Sequence, residues 1–479
     1  MAVAKCKIDH RHRNIYYVIY VPIWVKIYVV KNSMSKVTII GAGLAGSLLA
    51  IYLAKRGFAV DLFEAREDMR VGDAARGRSI NMALSDRGIA ALREVGMDEY
   101  ILDAAIPMLG RMIHTPTGET KLLPYSGRKG EYINSISRAG LNAALMTEAE
   151  KHRGVSFHFK EQCTGYDLVS SELSFASGKA IKSDLVFAAD GAGSALRQAL
   201  DKTVEGFESR SDFLEHGYKE LVIPPGQDGS FLIEKNALHI WPRHKFMMIA
   251  LHNLDGSFTC TLFLALKAIE GGSEPSFDQL TDEAKLYEFF EREFADALPL
   301  MPTLAKDFYA NPTGMLGTVH CSPWHSDGRV LLLGDAAHAM VPFYGQGMNC
   351  AFEDVHALDS LIEKYGADRS VIFSEFEKER LPNAAAIQSM AIENFYEMRD
   401  KVADPVFQRK RELETRLEQV YDDYFSKYSM VTFREDLAYS EAKRLGNAQD
   451  ELLMKICGPI ENIAELDIED VISKVRKLQ

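Results

Sequence analysis

Residues 36–66, KVTIIGAGLAGSLLAIYLAKRGFAVDLFEAR, constrain the fold more than any other stretch of the chain. A short apolar strand, Val37–Ile40, runs into Gly41-x-Gly43-x-x-Gly46, and an apolar helix over 47–55 is stopped by Gly57. A second strand, Ala59–Phe63, then ends at Glu64. Strand, glycine turn, helix, strand and acid in that order predict a parallel βαβ unit that takes a dinucleotide. Gly41 allows the tight turn, Gly43 lets a pyrophosphate reach the backbone, and Gly46 lets helix and strand approach each other. The helix N-terminus adds unpaired N–H groups and partial positive charge. Glu64, 18 positions beyond Gly46, can accept both hydroxyls of a ribose. A carboxylate there disfavours a 2′-phosphate, so the unit suits FAD or NAD rather than NADP.

Two later segments narrow the choice. In 182–200 a strand rises to Asp190-Gly191, followed by Ser194 and by Arg197 on a helix. In 328–349 the buried strand Val330–Leu333 ends in Gly334-Asp335 and leads to Pro-Phe-Tyr-Gly-Gln-Gly-Met-Asn. Gly345 and Gly347 are costly in chain entropy, so they mark a backbone that comes very close to something. Met348 and Asn349 begin a helix whose N–H groups face that same place, and negative charge is stabilised there. No second Gly-x-Gly-x-x-Gly unit offers a nicotinamide cofactor its own domain. The net charge of −13 argues against nucleic acid as a partner, because phosphate binding needs a basic surface. The six cysteines are scattered without metal spacing, so we expect free thiols and no zinc or iron–sulfur site.

The three segments together resemble the group A flavoprotein aromatic hydroxylases. Gly-Arg-Ser-Ile-Asn in 75–88, GRMIH at 110–114, HGYKEL at 216–221, LHIWPRHKFMMIAL at 238–251, IENFYEM at 392–398 and YSMVTF at 428–433 are similar to the kynurenine 3-monooxygenase family, from about Val37 to about Tyr439. The resemblance implies an α/β fold of the p-hydroxybenzoate hydroxylase type: a Rossmann-type FAD domain, an inserted mixed-sheet substrate domain and a C-terminal helical region. It implies FAD contacts from Gly41, Gly43, Ala45, Gly46, Glu64, Arg66, Ala83, Arg138, Cys163, Asp335, Gly345, Gly347, Met348 and Asn349. For the substrate, Arg111 would clamp a carboxylate bidentately and Tyr125 would donate to it. Asn394, Met398 one helical turn later, Tyr428 and Phe246 would complete the pocket, with Leu238, Ile240 and Met248 joining Phe246 in the ring wall. Tyr344 stands where the family varies among Phe, His and Tyr, and His338 reads as structural beside the flavin. The implied reaction converts L-kynurenine to 3-hydroxykynurenine with FAD, NADPH and O2 through a flavin C4a-hydroperoxide, in tryptophan degradation and NAD precursor synthesis. The chemistry is the cofactor's, so no acid–base residue and no metal is expected.

Domain organisation follows. We expect the FAD domain from 34–100, 130–205 and 315–365, the substrate domain from 100–130 and 206–314, and helices over 366–479. Residues 277–294 read as an amphipathic helix, and 404–428 as a charged surface helix capping the site. Residues 1–33 read as an appendage outside the fold. The apolar run 15–30 is short for a bilayer span and contains Pro22 and Lys26, which favours a soluble cytoplasmic protein over a membrane anchor. No stable protein partner is evident, and a homodimer stays open. The rival readings are a hydroxylase of a different aromatic acid, a flavin module without catalysis, and a membrane flavoprotein epoxidase acting on lipid.

Overall fold

The computed structural model describes residues 35–71, 81–268, 272, 274–401 and 404–478. The proposed appendage 1–33, the apolar run 15–30 and residues 75–80 lie outside the described residues. Among the described residues, no helix is long and apolar enough to cross a membrane.

The opening unit folds as its sequence dictates. Lys36–Ile40 pairs in parallel with Ala59–Phe63 on one side and with Val186–Ala188 on the other. Val155–His158 extends the sheet at one edge and Val330–Leu332 at the other, both parallel, and His325–Ser326 adds a short antiparallel end. Val186–Ala188 and Val330–Leu332 are buried along their whole length, as strands inside a covered parallel sheet are. The helix Leu44–Lys55 packs against Arg138–Lys151 and Gly347–Tyr365. The three glycine-bearing segments therefore arrive side by side at the C-terminal ends of adjacent strands, where open α/β sheets bind ligands.

A seven-stranded sheet carries the other half of the site. Its order is Gly314–Ser322, Glu208–Ile223, Phe258–Ala265, Phe246–His252, Ala237–Arg243, Gly110–His114 and Thr120–Pro124. Alternate side chains point to opposite faces of a strand. One face carries Ile240, Met247 and Phe263 toward Phe343, Met390 and Phe395. The other carries Trp241, Phe246, Met248 and Leu262 into a separate core with Phe289, Phe290 and Phe294.

This alternation corrects one expectation. Leu238 and Ile240 line the first face, but Phe246 and Met248 lie on the second, and Phe246 sits 5.6 Å from Phe289 and 6.1 Å from Phe294 between ring centroids. The antiparallel pairing sets Ile240 opposite Ile249, so Ile249 rather than Phe246 or Met248 shares the wall. Phe246 is core on the far side of the sheet.

Two helices also differ from expectation. The 277–294 stretch breaks into a short turn, Phe277–Gln279, and a helix Glu283–Glu293, because the Asp282 side chain caps the second piece by accepting from Lys285 N at 3.1 Å. The 404–428 stretch ends its helix at Val420, and Lys410, Glu414 and Glu418 on it are buried rather than solvated. A new short helix, Lys427–Phe433, starts after Ser426, whose hydroxyl accepts from Ser429 N at 3.3 Å.

Candidate active site

The three glycines of the first turn have three different environments. A Cβ on Gly41 would lie 2.3 Å from Ala189 O, and Gly41 has φ of +100°. A Cβ on Gly46 would lie 2.0 Å from Gly41 O. These two are bare because protein fills the space. Gly43 is different, since a Cβ there would meet nothing within 4 Å. Its bare face opens above the first turn of Leu44–Lys55, where the leading N–H groups have no partner within the helix. That cradle fits a pyrophosphate. Ala45 lies across from Gly334, whose added Cβ would be 3.5 Å from the Ala45 methyl, so the first and third segments meet here.

Glu64 is buried at the end of the second strand. Its carboxylate accepts from Ala42 N at 2.9 Å and from Arg66 Nε at 2.7 Å. Burial raises this carboxyl, but the Arg66 guanidinium and the N–H donors outweigh it and hold it below its ordinary value. It is ionised and placed to accept hydroxyls, with exposed Arg66 beside it. Arg138 is exposed at the first position of its helix, which docks on the glycine turn through Asn142 Nδ2 donating to Ala42 O at 2.9 Å. Asp335 is exposed just past Val330–Leu332. The buried Cys163 thiol lies near Asp190 and is pushed up to about 11 by burial, so it is an inert packing group.

The Gly345–Gly347 loop is tied down on every side. Gly345 takes φ of +67°, and a Cβ there would press on the Ala83 methyl at 3.1 Å. Asn349 fixes the bend with its side chain: Nδ2 donates to Ala83 O at 2.9 Å and to Gly345 O at 3.0 Å, while Oδ1 accepts from Ser85 N at 3.0 Å. The backbone N–H groups of Gly347, Met348 and Asn349 form the first turn of Gly347–Tyr365 and carry its positive end. Behind the loop, Asp354 accepts from Gly334 N at 2.9 Å and from Arg380 Nε at 2.8 Å, and contacts His338 Nε2 at 2.6 Å. His338 and Cys350 lie close to Asp354, but both Asp354 oxygens are occupied by these partners, so the group works as a tie rather than an ion site.

Arg111, Tyr125, Tyr428 and Tyr344 form a stack. The Arg111 guanidinium lies 4.7 Å from the Tyr428 ring centroid and 5.7 Å from that of Tyr125. Tyr428 stacks on Tyr125 at 5.4 Å and on Tyr344 at 5.5 Å. Burial raises the Tyr125 and Tyr428 phenols, and Arg111 draws them partly back. Both phenols therefore stay protonated and able to donate. Asn394 Nδ2 donates to Phe343 O at 2.6 Å, so it braces the Phe343–Gly347 loop, and the Met398 sulfur lies 3.3 Å from that nitrogen.

Arg111, Tyr344, Asn394 and Tyr428 line one cavity. Glu397, Lys410, Arg411, Glu414 and Lys427 line it too, and the sequence reading missed them. Lys410 bonds Glu414 at 2.9 Å and also pairs with Asp450, which Lys427 reaches at 2.5 Å. The signal was present in the four-residue spacing of Lys410, Glu414 and Glu418, which puts three charges on one buried stripe.

This architecture is matched by the family model described as FAD binding domain over residues 34–391, which sets the class as an FAD-binding protein. Solved structures share the fold: 2-methyl-3-hydroxypyridine-5-carboxylic acid oxygenase has a TM-score of 0.59 at 20% identity, covering 80% of this chain and 96% of its own. PqsL, a probable FAD-dependent monooxygenase from Pseudomonas aeruginosa, has a TM-score of 0.61 at 18% identity, covering 77% and 97%. Kynurenine 3-monooxygenase of Myxococcus xanthus is 46% identical over 446 residues, 92% of this chain and 94% of that protein. The Stenotrophomonas maltophilia enzyme of the same name is 45% identical over 444 residues, 91% and 96%. The chain belongs to the kynurenine 3-monooxygenase family.

Proposed function

We propose that this protein is an FAD-dependent monooxygenase that hydroxylates L-kynurenine at the ring carbon ortho to the amine, giving 3-hydroxykynurenine, with NADPH as reductant. One oxygen atom of O2 enters the ring, the other leaves as water, and the nicotinamide hydride supplies the electron pair. Bound FAD supplies the redox and oxygen chemistry.

The protein's part is binding, orientation and exclusion of water. Gly43 and the helix end beside it hold the pyrophosphate, Glu64 the ribose, and Asp335 the hydroxyls at the end of its strand. The positive end of Gly347–Tyr365 would favour negative charge on a flavin bound there. The observation that carries the substrate reading is the Arg111 guanidinium held against Tyr125 and Tyr428 beside the flavin loop. A planar fork beside two stacked phenols suits the carboxylate of an amino-acid tail. Leu238, Ile240, Ile249 and Phe343 form the apolar wall along which the aromatic ring lies. Dry, fixed surroundings favour oxygen transfer over its loss as peroxide.

The test is to incubate the FAD-loaded protein with kynurenine, NADPH and O2 and weigh the product. A gain of one oxygen atom is expected. Recovery of unchanged kynurenine, with turnover of a different aromatic acid instead, would replace the substrate half of the proposal.

A further inference from the structure

We propose that Arg87 is a positioning residue for the substrate clamp, holding the short helix Lys427–Phe433 so that Tyr428 stays stacked on Arg111. The inference rests on reading Arg111 and Tyr428 as the substrate site, and it adds a residue outside that site.

Arg87 is the second residue of the helix Asp86–Glu94, and its side chain is 1% exposed. A guanidinium so deeply buried is costly unless its donors are met. All three nitrogens are. Nε donates to Val431 O at 2.6 Å, and one terminal nitrogen donates to Glu353 Oε1 at 2.6 Å. The other donates to Met430 O at 3.2 Å and to Leu437 O at 2.5 Å.

Two of the three carbonyls belong to the helix that carries Tyr428, and the third lies just beyond it. The last carbonyls of a helix have no partner within it, and a cation there also opposes the negative end of its dipole. A seven-residue helix is too short to hold itself in place. Arg87 supplies the missing anchor.

The same guanidinium is tied to the flavin side. Glu353 lies on Gly347–Tyr365, whose first turn faces the flavin, and it also accepts from Arg380 at 3.2 Å. The Tyr439 ring lies 4.0 Å from the Arg87 guanidinium carbon, and its hydroxyl donates at 2.9 Å to Gln346, the residue between Gly345 and Gly347. One side chain thus sets the Tyr428 helix relative to the bend against which Tyr428 stacks through Tyr344. Small displacements of a positioning group cost large factors in a site of this kind.

The experiment compares wild type, Arg87→Lys, Arg87→Met, Tyr428→Ala and the Arg87→Met/Tyr428→Ala pair, each loaded with FAD. Kynurenine is titrated against the flavin absorbance spectrum. Peroxide released per NADPH oxidised and the thermal midpoint are recorded in parallel. Arg87→Met is expected to keep its FAD and weaken kynurenine binding by about tenfold or more, with more peroxide leak. Arg87→Lys keeps the charge without the fork and should recover part of the loss. In the Tyr428→Ala background the Arg87 change should add less than about twofold, because coupled residues are not additive.

Unchanged kynurenine affinity in Arg87→Met would overturn the inference. So would effects that multiply in the double variant, or loss of FAD from either Arg87 variant, since Arg87 is given no part in holding the cofactor. A wild type whose flavin spectrum ignores kynurenine would instead overturn the substrate reading itself, and this inference with it.

Discussion

The proposed flavin cradle and the proposed substrate clamp are built from different material. The cradle is mostly main chain, bare glycines and helix ends, with a few acidic side chains at strand termini. The clamp is side chain: Arg111, Tyr125, Asn394 and Tyr428 come from four separate segments and meet only in the folded molecule. Main chain cannot be adjusted without moving the fold, so Gly41 and Gly46 should tolerate almost no added atom. Side chains can be trimmed locally, so the clamp should lose its ligand while the fold survives.

The sharpest way to break this contrast is Gly46→Val. Any Cβ at this position sits 2.0 Å from Gly41 O. The change should cost about 4–5 kcal/mol, the range of exceptional single mutations, and give colourless, poorly folded protein. Soluble Gly46→Val with full flavin absorbance would contradict the reading of the turn.

Asp354→Asn comes next and tests the tie behind the loop. Removing one charge from the Asp354, Arg380 and His338 group should cost about 3 kcal/mol in chemical denaturation. The pH dependence carries the same information. Burial pushes Asp354 up, but His338 and Arg380 outweigh it and hold it at about 2, below the ordinary 3.8. A depressed folded value means stability that is fully present above about pH 4 and lost as pH falls toward 2. At about 1.4 kcal/mol per unit, that segment is worth about 2.5 kcal/mol. Wild type should show the added slope between pH 4 and 2 and Asp354→Asn should lack it. Equal slopes would count against the tie.

The smallest effect sharpens the comparison from the other side. Phe246→Leu should lower stability by about 1 kcal/mol and leave the KM for kynurenine unchanged, because Phe246 packs on the far face of the sheet. A KM change without a stability change would return Phe246 to the pocket.

The two regions also differ in how far the sequence disclosed them. The cradle depends on neighbours a few residues apart, so its spacing is legible directly: Gly41 and Gly46 sit against backbone, and Gly43 has open space. The clamp depends on strand register and helix docking. Leu238 and Ile240 share one face of the sheet, whereas Phe246 and Met248, expected beside them, lie on the other. A hairpin turn decides which parity faces in, and a shift of one residue reverses it. The C-terminal helices were harder still. A run of charges normally signals a solvated face, yet Lys410 and Glu414 are buried and paired, with Asp450 beside Lys410. Arg87 gave no local signal at all, since its carbonyl partners lie more than 340 residues away.

Arg111→Ala, assayed in one cuvette for both halves of the site, is the most direct measurement. The variant is expected to keep one FAD per chain but bind kynurenine about 10- to 100-fold more weakly, the cost of losing a charged hydrogen-bonding partner. Kynurenine affinity and turnover equal to wild type in the flavin-loaded variant would contradict it.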